Sequence, residues 1–404
     1  MTDIANTFQS RHLRDTTSGA VDSDRNMALK LFSGTVLEAY RSSTVFVDGP
    51  GTVVAKKTLN GGHIAQWPVI GEDMNLDNLA EGADDSRATW TSDGDATYDH
   101  DAAGAIGGLK LGYHTPGDFI SGMKVKMAEK TVRVDDTIVA AIDVPMQDLD
   151  ISHFEILRPF ATKLGRALSF SQDKKIAIIA ANAAMGTGSG AGVAGVHGGG
   201  HSVIREGNAA GDISTGVANL TEIYSDDLTG AQYFTKDCAD LARKLDEANV
   251  PEEDRFLFIP PIMRRVLRWD TTIFDRDFNT PDVANTINNR AIGMIEGFKV
   301  VMTNHLPDGD SEDKYHAIDA NLGKYDYKFD GTGVAAPKIA AVAMCGAREG
   351  AAGVGMVQAG GTRTVIEDDN RRGLKFMRAS QMVGFDVIAP WCCGLIGVAD
   401  NADD

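Results

Sequence analysis

Between Ile151 and Met185 the chain reads ISHFEILRPFATKLGRALSFSQDKKIAIIAANAAM, and Phe154, Leu157, Ala161, Leu164, Leu168, Gln172 and Ile176 recur at steps of three and four. That spacing lines side chains along one face of a helix. Lys163, Arg166, Asp173 and Lys174 fall mostly off the stripe, so the segment predicts one long amphipathic helix. Pro159 lies near its start, where a missing N–H costs nothing, and Gly186 opens the run GTGSGAGVAG that stops it. About 27 residues at 1.5 Å each span ~40 Å, which is the length of a strut rather than of one element in a compact globule.

Around this strut the period changes. Residues 1–25 are polar and aperiodic and read as a flexible arm, after which MALKLFSGTVLEAYRSSTV (27–45) brings Phe32, Val36 and Tyr40 onto one face of a short helix. From Phe46 the alternation in TVFVDG, GTVVAKKTL and GGHIAQWPVIG, ending at Gly71, predicts strands separated by Gly-rich turns. The stretch Glu72–Asp118 is acidic, rich in Gly and Ala and poor in large aliphatics, yet VKMAEKTVRVDDTIVAAIDV resumes an extended pattern at Val125. A loop of that length is uncommon inside a compact domain, and a two-stranded projection cannot bury enough surface to stand alone. A projection packed onto a neighbouring molecule satisfies both conditions, so the pattern points to an assembly.

Residues 186–212 are dominated by glycine and predict a flexible loop. A second compact pattern begins at Asp227: Phe234, Cys238, Leu241 and Leu245 share a helical face, RFLFIP is a short buried strand, and PIMRRVLRW opens a helix with Pro261 in its first turn. GFKVVMTN (297–304) and KIAAVAMC (338–345) add strands on either side of an acidic, turn-rich insert, giving an α/β unit with a central sheet. The C-terminal third is again extended, with a helical signal only near Met356, and is expected to complete a sheet beside the long helix. Within it EDDNRRG predicts a hairpin turn whose Arg371 and Arg372 serve either local salt bridges or a contact between subunits, and ADNADD (399–404) is a solvated tail. The fold class expected for the whole chain is α+β.

Charge narrows the function. The chain has 404 residues, 43% of them hydrophobic, and a net charge of −18. That is enough apolar content for a sizeable core, but phosphate binding runs on Lys and Arg, so a nucleic-acid-gripping protein is excluded. Cys238, Cys345, Cys392 and Cys393 form no CxxC pair and read as reduced core thiols. With no apolar run of about 18 residues and no hydrophobic leader after the N-terminus, a soluble chain made in the cytoplasm is expected. No fixed-period repeat is present.

Candidate chemistry is sparse. Gly190, Gly192 and Gly195 have GxGxxG spacing, but a dinucleotide fingerprint follows a strand and opens a helix, whereas this run follows a helix and opens onto more glycine. Gly188-Ser189-Gly190 lacks the spacing of a nucleophile elbow, and neither a Walker lysine nor HExxH occurs. His197 and His201 are spaced as metal ligands on a helix, but the intervening glycines favour a loop. The pairs Asp84-Asp85, Asp135-Asp136, Asp226-Asp227 and Asp368-Asp369 lack the D-x-D-x-D-G pattern of a calcium loop and read as turn and cap residues. No catalytic, cofactor-binding or metal-binding residue is assigned.

The order of the pieces carries more than any motif. MALKLFSGTVLEAYRSSTV, GGHIAQWPVIG, NLAEGADD, FATKLGRALSFSQDKKIAIIA, NVPEEDRFLFIPP and MIEGFKVVMTNHLP, in this order, resemble the major capsid proteins of short-tailed phages of the podovirus, autographivirus type. The resemblance implies the capsid fold named after phage Hong Kong 97. Its parts would be an N-terminal arm and short helix (1–45), and an extended loop, the E-loop, with the start of the peripheral P-domain (46–145). The spine helix and glycine-rich loop (146–214), the axial A-domain (215–345), and return strands with a C-terminal tail (346–404) would follow. It further implies self-assembly into hexamers and pentamers of an icosahedral shell around double-stranded DNA that is adjacent but not specifically bound. Scaffolding and portal proteins would be partners, the location the virion, with synthesis in the host cytoplasm, and no membrane, cofactor or catalysis is implied. No Lys and Asn pair is identifiable by spacing as an isopeptide cross-link. The alternatives are an encapsulin-like protein compartment and, less favoured, a nucleotide-dependent enzyme using the Gly190 loop.

Overall fold

The computed structural model describes residues 45–47, 53–70, 127–135, 137–151, 157–186, 198–206, 220–269, 293–307, 325–327, 337–346, 352–361 and 363–399. Residues 27–44 of the helix expected over 27–45, the acidic stretch 72–118 and Gly190, Gly192 and Gly195 lie outside them. In chain order the elements are β1 (Val54–Leu59), β2 (Ile64–Ile70), β3 (Met127–Arg133), β4 (Ile138–Pro145), α1 (Met146–Ile151) and the long helix α2 (Leu157–Ala184). Next come β5 (His201–Glu206), α3 (Leu220–Ile223), α4 (Leu228–Glu247), β6 (Arg255–Ile259), α5 (Pro261–Leu267), β7 (Met294–Ile295), β8 (Phe298–Met302) and β9 (Lys338–Cys345). The chain closes with β10 (Val354–Ala359), β11 (Arg363–Asp369), β12 (Leu374–Gln381), β13 (Val383–Val387) and β14 (Cys393–Ala399).

Helix α2 changes character along its length. In its first half Leu164 and Leu168 are buried against Met377 and Ala379 of β12, flanked by Ile138, Ala140 and Ile142 of β4, while Lys163, Gly165 and Ala167 stay exposed. This is the one-sided burial that the three-four spacing encodes. From Lys175 to Ala181 every residue is buried, and the small Ala177, Ala180, Ala181, Ala183 and Ala184 let the backbone pass close to its neighbours. Gly186, at φ +69°, then terminates the helix in the left-handed conformation glycine adopts without steric cost.

The six-stranded sheet, in the order β5-β14-β9-β6-β8-β7, is packed on both faces. Phe256 and Phe258 point to the side of Ile176–Ala184 of α2, and Leu257 and Ile259 point to the side of Phe234, Cys238, Leu241 and Leu245 of α4. Burial on both faces is why RFLFI is an unbroken apolar run rather than an alternating one. Beside it lie two three-stranded sheets, β11-β12-β4 and β1-β10-β13, and the two-stranded hairpin β2-β3.

Among the described residues the hairpin is packed at its base. Its ladder runs from Ile64 opposite Arg133 to Ile70 opposite Met127, and Ala65 and Val132 pack on Val357 and Ile388. Asp135 N donates to Val383 O at 3.3 Å, and a Cβ on Gly384 would lie 1.9 Å from Arg133 O, so the base meets β13 backbone to backbone. Lys57 secures the flank, donating to Gln66 O at 2.6 Å with its ammonium 4.1 Å from the centre of the Trp67 ring.

Three expectations are corrected. Val45, Phe46 and Val47 form a bent, buried segment instead of a strand, because their side chains fill the core beside Phe258 rather than one face of a sheet. His201–Glu206, expected as part of a flexible loop, is strand β5, paired in parallel with β14; its signal is submerged by the glycines on either side. Met356 lies in β10 and not in a helix, its partners being Lys56 on β1 and Phe385 on β13.

Gly384→Ala is expected to lower stability by about 1–3 kcal/mol through forced backbone displacement. Gly361→Ala, where nothing lies within 4 Å, should be near neutral. Urea denaturation of the unassembled protein checks the contrast.

Candidate functional site

The described polar side chains gather where α2 meets the rest of the chain. Asp173 is completely buried, and its Oδ2 accepts the Val45 backbone N–H at 2.8 Å and faces His305 Nδ1 at 3.0 Å. His305 is held in turn by its backbone N–H to Thr303 Oγ1 at 3.1 Å and by the edge-on ring of Phe170, 4.6 Å between centroids. Next to Val45, Phe46 inserts against Phe258, their ring centres 4.4 Å apart. Isolated, such a carboxylate would be costly to bury; hydrogen bonds and an adjacent imidazole offset that cost.

Neighbouring positions of α2 repeat the arrangement. Gln172 Nε2 donates to Gln381 Oε1 at the end of β12. Lys175 is buried, with its ammonium 4.6 Å from the centre of the Tyr325 ring. The Tyr325 hydroxyl donates to Asp135, just beyond β3, and accepts the Phe385 N–H at 3.2 Å. Burial, reinforced by the Asp135 carboxylate, pushes the Tyr325 phenol well above its usual value, so it stays protonated and keeps donating. Further along, Asn182 donates to Asp326 O at 3.0 Å. Helix α2 is therefore the common partner of segments 45–47, 303–307 and 325–327 and of the end of β12.

The six-stranded unit has its own polar lock. Arg205 on β5 makes a two-pronged pair with Asp237 of α4, at 2.6 and 2.7 Å, and the Tyr224 hydroxyl donates to the same carboxylate at 2.6 Å. The hydrogen bond to Asp237 raises the Arg205 guanidinium further, and burial raises the Tyr224 phenol. Arg255, also buried, donates to Pro251 O at 3.0 Å and Val250 O at 2.6 Å and pairs with Asp246 at 2.7 Å, closing the end of α4. All four cysteines are free and buried, and burial raises the Cys393 thiol, which keeps it unreactive. These groups fasten the fold; among the described residues they leave no nucleophile, base and electrophile aimed at a common point.

The sequence candidates separate accordingly. His201 begins β5 rather than lying in a loop, burial and then Lys244 lower its pKa, and His197 is outside the described residues. Among the described residues no cluster of three His, Cys, Asp or Glu could hold a metal. Asp227 caps α4 by accepting from Gly230 N at 2.8 Å, and Asp226 pairs with Arg265 and accepts from Trp269 Nε1 at 2.7 Å. Asp135 is not an exposed turn residue: it is partly buried and takes the Tyr325 hydroxyl. Asp84, Asp85 and Asp136 are outside the described residues. EDDNRRG makes the expected hairpin turn: Gly373 N donates to Asp369 O at 2.9 Å with Gly373 at φ +66°, Arg372 pairs with Asp369 at 3.8 Å, and Lys375 pairs with Asp368 at 3.5 Å.

Apolar side chains also reach the surface. Among the described residues the hairpin β2-β3 is packed at one end, and Val139 on β4 and Ile366 on β11 are 51% and 58% exposed. A family model described as Gp10A-like, major capsid protein, matches residues 104–364, more than half of the chain. The chain belongs to this major capsid protein family. No curated protein matches the sequence. Among solved structures, the capsid of the cyanophage P-SCSP1u is 21% identical, with a TM-score of 0.64 over 98% of this chain and 100% of that one. The mature capsid of bacteriophage PhiM1 is 12% identical, with a TM-score of 0.60 over 97% of each chain. At these identities the likeness is one of fold: this major capsid protein has the α+β fold of phage capsid proteins along nearly its whole length. For a shell protein the relevant sites are surfaces and the framework that holds them, and α2 with its buried polar partners is that framework.

Asp173→Ala is expected to cost about 3 kcal/mol by stranding the Val45 N–H and His305. A double-mutant cycle with His305→Ala should give a coupling of about 1 kcal/mol or more, measured by denaturation of unassembled subunits. Amide exchange at Val45 should accelerate in the Asp173 variant.

Proposed function

We propose that the chain builds the head of a short-tailed phage of the autographivirus type, with the fold of phage Hong Kong 97, by assembling into hexamers and pentamers of an icosahedral shell around double-stranded DNA. The observation that carries this reading is the base-anchored hairpin β2-β3, which among the described residues packs on β10, β13 and the residues beside them at one end only. An isolated two-stranded ribbon is marginal in water, so this one needs a neighbouring copy to complete it. On this reading residues 46–145 are the E-loop, α2 is the spine of the P-domain, residues 215–345 are the A-domain, and 346–404 return to both.

The net charge of −18 fits a container whose contents must not adhere to its wall, because like-charged surfaces repel at short range. A scaffolding protein and a portal are the partners this role requires, and the virion is the place where the folded chain resides. The role is structural and uses no catalytic group.

Electron microscopy of the purified protein under assembly conditions tests the reading: closed shells built of six-fold and five-fold capsomers are expected. A monodisperse monomer under those conditions overturns it.

A further inference from the structure

Among the described residues only one face of the sheet β11-β12-β4 is packed on another element. Met377 and Ala379 point to α2, so their neighbours along β12 point away from it, and the pairing register sets Asp143, Phe376 and Glu367 side by side across that outer face. Directly opposed residues on one face have Cβ atoms about 5 Å apart, so two carboxylates flank a phenyl ring. These side chains line a groove of about 420 Å³, completed by Leu374 and the hairpin turn. Asp368 and Asp369 have Lys375 and Arg372 as partners; Asp143 and Glu367 have no basic partner among the described residues.

The same hairpin carries the complementary group. At its turn Arg371 is exposed; its backbone N–H donates to Asp369 Oδ1 at 3.1 Å, and its guanidinium makes no hydrogen bond or ion pair among the described residues. A guanidinium suits the cradle on three counts: it stacks on an aromatic face, its fork of N–H donors serves two carboxylates, and it sheds water more readily than an ammonium. Donor and acceptor lie on one sheet of one chain, so copies arranged head to tail around an axis can each give an arginine and receive one.

We propose that Arg371 of one copy docks in the Asp143–Phe376–Glu367 cradle of a neighbouring copy, making this hairpin a self-complementary joint between subunits. The proposal rests on the shell reading above and adds the surface through which copies recognise one another.

Charge reversal followed by swapping tests it. R371E and E367R are each expected to lower the yield of shells about tenfold near 0.15 M salt, and the double variant E367R/R371E to recover to within about twofold of the unaltered protein. Thermal unfolding of unassembled subunits should be unchanged, since all these positions are exposed. A second measurement uses R371K in shells grown from mixed light and isotope-labelled subunits. Carbodiimide should join Lys at 371 to Glu367 between differently labelled chains in intact shells and not in dissociated subunits. Single reversals that assemble as well as the unaltered protein, a double variant worse than either single one, or intact shells without the mixed-label link would each overturn the joint while leaving the shell reading standing. Failure of the unaltered protein to form shells would instead remove the shell reading itself.

Discussion

A fully buried carboxylate sets the terms for the rest of this structure. Asp173 has 0% exposure, and the same oxygen that takes the Val45 N–H at 2.8 Å also faces His305 at 3.0 Å. Stripping water from a charge costs several kcal/mol, so an Asp at this position is tolerable only when both segments arrive. The partners come from 128 residues upstream and 132 downstream in the chain, so one side chain makes the docking of each conditional on the other. Lys175 and Gln172 impose the same condition on Tyr325 and Gln381. The long helix is thus more than a strut: it is the element against which distant pieces of chain must be correctly placed before the interior can close.

Dependence on distant partners also decides which features are readable in the sequence. Leu164 and Leu168 announced a helical face because only one side of α2 is covered there, and RFLFIP announced a buried strand because both of its faces are covered. The hairpin turn at EDDNRRG was local chemistry: an Asp carbonyl and a glycine at positive φ three to four residues on. Periodicity places Asp173 off the apolar stripe of α2, which says nothing of its burial, because what surrounds it comes from elsewhere in the chain. Val45–Val47 alternates like a strand but is held by Asp173 and Phe258, and β5 is hidden among glycines because its stability comes from β14, nearly two hundred residues away. Local signals located the elements that bury their own side chains; tertiary contacts decided the rest.

Anchoring is distributed unevenly over the molecule, and that unevenness has a use. The hairpin base meets β13 with so little clearance at Gly384 that its direction is fixed, while the rest of its ladder has no second layer among the described residues. A rigid root combined with an incomplete shaft defines where a neighbour must sit without the subunit spending folding energy on a core for the shaft. The outer face of β11-β12-β4 follows the same principle: its inner face packs on α2, so the outer row is held in register by contacts it does not itself make.

Net charge then constrains how such subunits can meet. Copies carrying −18 each repel at long range, and the repulsion grows as more of them gather. Association must therefore come from apolar area and from local reversals of sign that outweigh the global field within a Debye length of about 8 Å at physiological salt. An exposed arginine on a turn beside an acidic groove is such a reversal, and it acts only at contact distance. Long-range repulsion with short-range complementarity penalises loose or misregistered clusters more than it penalises the correct joint, because only the correct joint brings the opposite charges together.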